Sequence, residues 1–104
     1  MEMKKQSESQ LQTKVMKYLR DTYKEEFFVW KVSERFSSGI PDIMGIYKGV
    51  PFYIELKVGS NKPTKLQEIT MHELANAGAV GGVAYSLEQV KVIMLRVIQV
   101  SVSV

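Results

Sequence analysis

The order of apolar periodicities along these 104 residues predicts a mixed α/β domain. The expected sequence is one helix, three strands, a second helix, a fourth strand and a third helix. Three observations carry that prediction. An amphipathic run opens the chain, two β-rich runs flank Lys48-Gly49-Val50-Pro51 as a hairpin would, and a helical run then leads from the hairpin to another strand. Hairpin plus crossover makes a mixed sheet with helices on its faces.

Each element has its own signal. Ser7 with Gln10 fits a capping box, and Leu11, Val15, Tyr18, Leu19 and Thr22 recur at helical spacing, so the first helix covers about residues 8 to 23. Phe27 to Ser33 is aromatic and β-branched and reads as a strand. Glu34 to Gly39 is a polar, glycine-ended loop. Ile40 to Tyr47 and Phe52 to Val58 are strands, connected through Lys48-Gly49-Val50-Pro51. Gly59 to Pro63 is turn-rich; Leu66, Ile69, Thr70, Leu74 and Ala77 then mark a second helix ended by Gly78. Ala79 to Tyr85 is a fourth strand thinned by Gly81 and Gly82. Ser86 with Gln89 caps a third helix carrying Leu87, Val90, Met94, Val97 and Ile98. Gln99 to Val104 alternates polar and apolar, which predicts an edge strand or tail outside a core of about residues 8 to 98, pairing within the fold or with a second subunit.

The length gives residues 1–104 room for a single domain and none for a separate substrate domain. Hydrophobic residues at 45% and charged residues at 24% argue against global disorder. Without cysteine there is no disulfide, no thiolate metal site and no cysteine nucleophile, a composition that suits a reducing cytoplasm. The start resembles no signal peptide, and no apolar run approaches membrane-spanning length, so no membrane partner is expected. A net charge of +3 admits a polyanion partner without requiring one.

Chemistry concentrates where charges interrupt the hairpin strands. Asp42 follows Ile40-Pro41, and Glu55-Leu56-Lys57 sits inside Phe52 to Val58. Residues two apart on a strand share a face, so Glu55 and Lys57 project together, and pairing can bring Asp42 beside them. Desolvating such ions costs several kcal/mol each unless they pair or hold a metal. A divalent cation is one compensation; a purely structural ion-pair network is another. Mg²⁺ takes oxygen ligands and commonly uses one or two carboxylates while keeping waters, so Asp42 and Glu55 suffice as the protein's share.

Gly39-Ile40-Pro41-Asp42, Glu55-Leu56-Lys57, Gln67 on the next helix and Glu8 on the first resemble, in that order, the PD-(D/E)XK nuclease superfamily. The small stand-alone VRR-NUC domains, the virus-type replication-repair nucleases, are most similar, over about Glu8 to Tyr85. The resemblance implies a restriction-endonuclease-like α-β-β-β-α-β-α core and a Mg²⁺-dependent endodeoxyribonuclease in which Mn²⁺ substitutes. It adds the Leu56 carbonyl as a metal ligand and Glu8 as a ligand, direct or through water. Lys57 would orient or deprotonate the attacking water or offset phosphoryl charge, and Gln67 would contact the scissile phosphate or the lysine. A chain this short implies a homodimer acting on branched DNA, with paired sites suiting a four-way Holliday junction. A flap or nicking endonuclease and a non-catalytic nucleic-acid-binding module are the alternatives.

The remaining residues each carry two readings. Glu8 is also a first-turn glutamate favoured by the helix dipole, and Gln67 completes a capping box with Thr64. Lys62 and Lys65 are phosphate contacts near a helix N-terminus or a solvated basic surface. Arg35, Ser37 and Ser38 grip DNA backbone from their loop or belong to a merely flexible one. His72 is an ordinary surface residue, and Trp30 and the methionines read as core filler rather than base-stacking platforms.

Overall fold

The first helix is entered through a closed capping box. Ser7 Oγ accepts the Gln10 N–H at 3.0 Å, and Gln10 Oε1 accepts the Ser7 N–H at 2.9 Å. These bonds belong to a computed structural model that describes residues 6–32 and 39–103. Its elements are α1 (Glu8–Thr22), β1 (Phe27–Lys31), β2 (Ile43–Tyr47), β3 (Val50–Leu56), α2 (Lys65–Asn76), β4 (Val80–Ala84) and α3 (Leu87–Val102). The expected order of helices and strands is the observed one. Thr64 and Gln67 repeat the capping box at α2. At α3 the Ser86 hydroxyl accepts the Gln89 N–H, while Gln89 Oε1 accepts instead from the Tyr85 N–H.

The strands form one sheet in the order β1-β2-β3-β4, antiparallel through β3 and parallel between β3 and β4. The β2–β3 turn is tighter than the sequence suggests. Tyr47 pairs with Val50, so Val50 and Pro51 belong to β3 and only Lys48 and Gly49 remain in the connection. Their φ angles, 48° and 84°, are those of a type I′ turn, whose twist matches that of the strands it joins.

Register assigns the two faces. Ile43 opposes Ile54, so Ile43, Phe52, Ile54 and Leu56 share one face. There they pack with Leu11, Val15 and Leu19 of α1 and with Val90, Ile93, Met94 and Val97 of α3 to make the core. Gln12 is buried as well, which helical periodicity alone does not indicate. The opposite face carries Tyr53 and Glu55, and α2 packs over β4. α2 also sets Leu66 and Thr70 close to Gly39, just ahead of Asp42.

The C-terminal alternation does not make an edge strand. Gln99 to Val102 continues α3. No glycine or proline interrupts the helix once Val90, Ile93, Met94 and Val97 have docked it, so its hydrogen bonding runs on and leaves Val100 and Val102 exposed.

Candidate metal and phosphodiester site

The hairpin brings two carboxylates face to face. With Ile43 opposite Ile54, the next pair outward is Asp42 and Glu55. Main-chain bonds lock them together: the Asp42 N–H donates to Glu55 Oε1 at 3.2 Å, and the Leu56 N–H donates to Asp42 Oδ2 at 2.8 Å. The Asp42 carbonyl accepts from the Val32 N–H at 2.8 Å, which ties the same point to the end of β1. Each acid thus holds the other's strand, a contribution that residue types alone do not reveal.

Glu55 is fully buried, and Asp42 is nearly so. Lys57 Nζ stands 3.3 Å from Glu55 Oε2, an ion pair by distance, yet that oxygen receives no well-directed hydrogen bond. Burial first, and the neighbouring Asp42 charge second, push Glu55 up from 4.5 to about 7, against the pull of Lys57 and the Asp42 N–H. The Lys57 main chain is anchored by its N–H to the Ala84 carbonyl at 3.1 Å, extending the β3–β4 ladder past the end of the strand. Beyond it, the Tyr85 hydroxyl donates to the Asn61 carbonyl at 2.7 Å and ties the linker before α2 to β4.

The other expected site residues within the described residues come from α1 and from the start of α2 with its preceding linker. Gln67 is half-buried at the start of α2, its Oε1 accepting from the Thr64 N–H at 2.9 Å. Lys62 and Lys65 are exposed on either side of that cap. Glu8 is half-buried in the first turn of α1. No group of three or more histidines and carboxylates is gathered closely enough to hold an ion among the described residues, so the assembled acidic pair is Asp42 and Glu55 without Glu8. Arg35, Ser37 and Ser38 lie outside the described residues.

Trp30 departs from expectation. It is 41% exposed, and Phe28 is 60% exposed, so neither fills the core. Trp30 opposes Met44 and Phe28 opposes Ile46, which places both rings on the same sheet face as Asp42 and Glu55. The i, i+2 spacing of two aromatics is the sequence signal; that no helix among the described residues covers this end of the face is not visible in the sequence.

The donor set fits a hard divalent cation. Two adjacent carboxylates, one with a buried oxygen lacking a hydrogen bond, offer oxygen ligands at a point where negative charge is poorly compensated. Among the described residues no helix is long and apolar enough to cross a membrane.

Two solved structures share this architecture over most of the chain. A VRR_NUC domain superposes with a TM-score of 0.61 at 27% identity, covering 80% of this chain and 92% of that one. A VRR_NUC domain protein superposes with a TM-score of 0.75 at 20% identity, covering 93% of this chain and 92% of that one. No family model and no curated protein matches the sequence. The mixed sheet, its hairpin-borne acids and these two superpositions together make the chain a structural relative of the VRR_NUC domains.

Proposed function

We propose that the chain is a PD-(D/E)XK-type nuclease, a metal-dependent, structure-selective DNA endonuclease acting on branched DNA as a homodimer, with the four-way junction its preferred substrate. The observation that carries this reading is the Asp42–Glu55 pair with Lys57 at 3.3 Å, built into a hairpin and lacking full internal compensation. Buried like charges are costly, and a site that accepts that cost in so small a protein is better explained by an ion than by stability.

Asp42 and Glu55 would hold Mg²⁺ or Mn²⁺, with the Leu56 carbonyl as a further ligand and Glu8 acting through water. A bound divalent cation would supply Lewis-acid chemistry, polarising a phosphoryl oxygen and lowering the pKa of a water. Lys57 then presents an ammonium beside Glu55, placed to orient the attacking water and to offset charge on the phosphoryl oxygens. Gln67 has its Oε1 committed to the helix cap, so it reaches a phosphate through its Nε2–H donors. Lys62 and Lys65 flank the α2 N-terminus, where main-chain N–H groups favour anions, and supply backbone contacts that position the strand.

Paired incision of a symmetric junction requires two sites related by a two-fold axis, which a homodimer of this domain provides. The test is cleavage of labelled four-way junction, flap and linear duplex DNA with Mn²⁺ or Mg²⁺, beside EDTA and Lys57→Ala controls, with the solution mass measured by light scattering. Symmetric, metal-dependent incision of the junction by a dimer, lost in Lys57→Ala, is the expected result. Preferential flap or nick cleavage by a monomer would replace the junction assignment, and no cleavage by folded, metal-supplied protein would overturn the nuclease itself.

A further inference from the structure

The sheet face that carries Asp42 and Glu55 is covered unevenly. α2 covers it near β4, where Tyr53 and Glu55 are buried, whereas Phe28, Trp30 and Ile46 on β1 and β2 stand exposed. Phe28 and Trp30 lie against each other with ring centroids 5.5 Å apart and planes inclined by 44°, so each holds the other upright on the sheet. Trp30 neighbours Met44, which sits two residues from Asp42 on the same face. At about 4.8 Å between strands and about 3.3 Å per residue, the Trp30 and Asp42 backbones are roughly 8 Å apart. That is about one nucleotide step along an extended strand.

Cations adjoin Phe28, one ring of the pair. Phe28 lines a shallow cleft with Arg20, Tyr23, Lys24, Phe27 and Val29, at the free edge of β1. Rings that can stack on the sheet face that carries the acidic pair, with guanidinium and ammonium groups beside Phe28 that can take phosphate, are the ingredients of a single-strand binding track. We propose that Phe28 and Trp30 form a stacking ledge for an unpaired nucleobase of the DNA strand entering the Asp42–Glu55 site, with Arg20 and Lys24 holding the phosphates beyond it. The proposal rests on the nuclease reading and extends it: the chain selects branched DNA whose bases unpair next to the scissile bond, as they do at the centre of an opened four-way junction. Charge complementarity identifies the occupant, since an apolar partner would leave Arg20 and Lys24 without a counterpart.

Trp30 is the sole tryptophan in the chain, so its emission reports on the ledge alone. The experiment titrates the protein, in EDTA, with a short fluorescein-labelled oligothymidylate and with an abasic strand of equal length, following tryptophan emission and label anisotropy together. We expect the thymidylate to quench Trp30 and the abasic strand to bind about tenfold more weakly without quenching. Phe28→Ala and Trp30→Ala should each weaken thymidylate binding by about tenfold while leaving abasic binding unchanged, and Trp30→Phe should restore most of the loss. Thymidylate binding that leaves Trp30 emission unchanged, equal affinity for the two strands, or no binding of either would overturn the ledge. So would emission that shifts with protein concentration in step with a doubled mass by light scattering, because a second copy would then cover these rings. Cleavage of branched DNA is scored separately: cleavage without quenching sinks the ledge alone, and quenching without cleavage sinks the nuclease.

Discussion

Glu55 is where sequence chemistry and structural cost meet. Its carboxyl is fully buried and raised to about 7, so the folded chain binds a proton that the unfolded chain releases near 4.5. Stability therefore falls as pH rises through that interval and flattens above it, by on the order of 3 kcal/mol. Thermal unfolding of metal-free protein from pH 4.5 to 8 should show this decline; a melting temperature independent of pH would contradict it. Glu55→Gln keeps an oxygen able to accept the Asp42 N–H but has no charge to bury, so the substitution should remove the pH slope while abolishing metal binding, read by Mn²⁺ titration calorimetry. The identity of the acids and Lys57 was legible in the sequence, because charges inside apolar strands have few explanations. The exposure of Trp30 was not, since an aromatic strand residue looks the same whether or not a helix covers its face.

The elements show the same division. Capping boxes at Ser7 and Thr64 could be read directly because each spans four consecutive residues and depends on nothing distant. Thr64→Ala should cost about 1 kcal/mol by chemical denaturation and loosen the α2 start that presents Gln67. The C-terminal alternation misled because a run of valine and serine suits either period, and the preceding docked helix decided the outcome. The two glycines of β4 also differ in a way that only packing reveals. A side chain at Gly81 would overlap the Tyr53 carbonyl and crowd its ring, whereas one at Gly82 would meet only Arg96 Nη2 at 3.5 Å and Ile93. We expect Gly81→Ala to destabilise by about 1–3 kcal/mol and Gly82→Ala to be near neutral, with equal costs for the two counting against this account. Tyr53 precedes Glu55 by two residues on the same face, so a strand displaced at Gly81 should also lower cleavage.

For the whole molecule, a net charge of only +3 means that DNA affinity depends on where the cations sit more than on how many there are. Five phosphate contacts, from Arg20, Lys24, Lys57, Lys62 and Lys65, would make affinity fall about 500-fold between 50 and 200 mM salt, and anisotropy titrations should show that slope. A Lys62→Ala, Lys65→Ala double variant should flatten it without changing the preferred DNA structure. The two-residue turn between β2 and β3 has a further consequence, for how the chain reaches its folded state. Asp42 and Glu55 are 13 residues apart across that turn, so their encounter is a local event available on the timescale of hairpin closure. The crossover helix and fourth strand that bury them must be recruited later, across a longer separation. Repulsion between the acids is then already present at the folding barrier, and a divalent cation should accelerate refolding in stopped-flow measurements rather than act only by slowing unfolding.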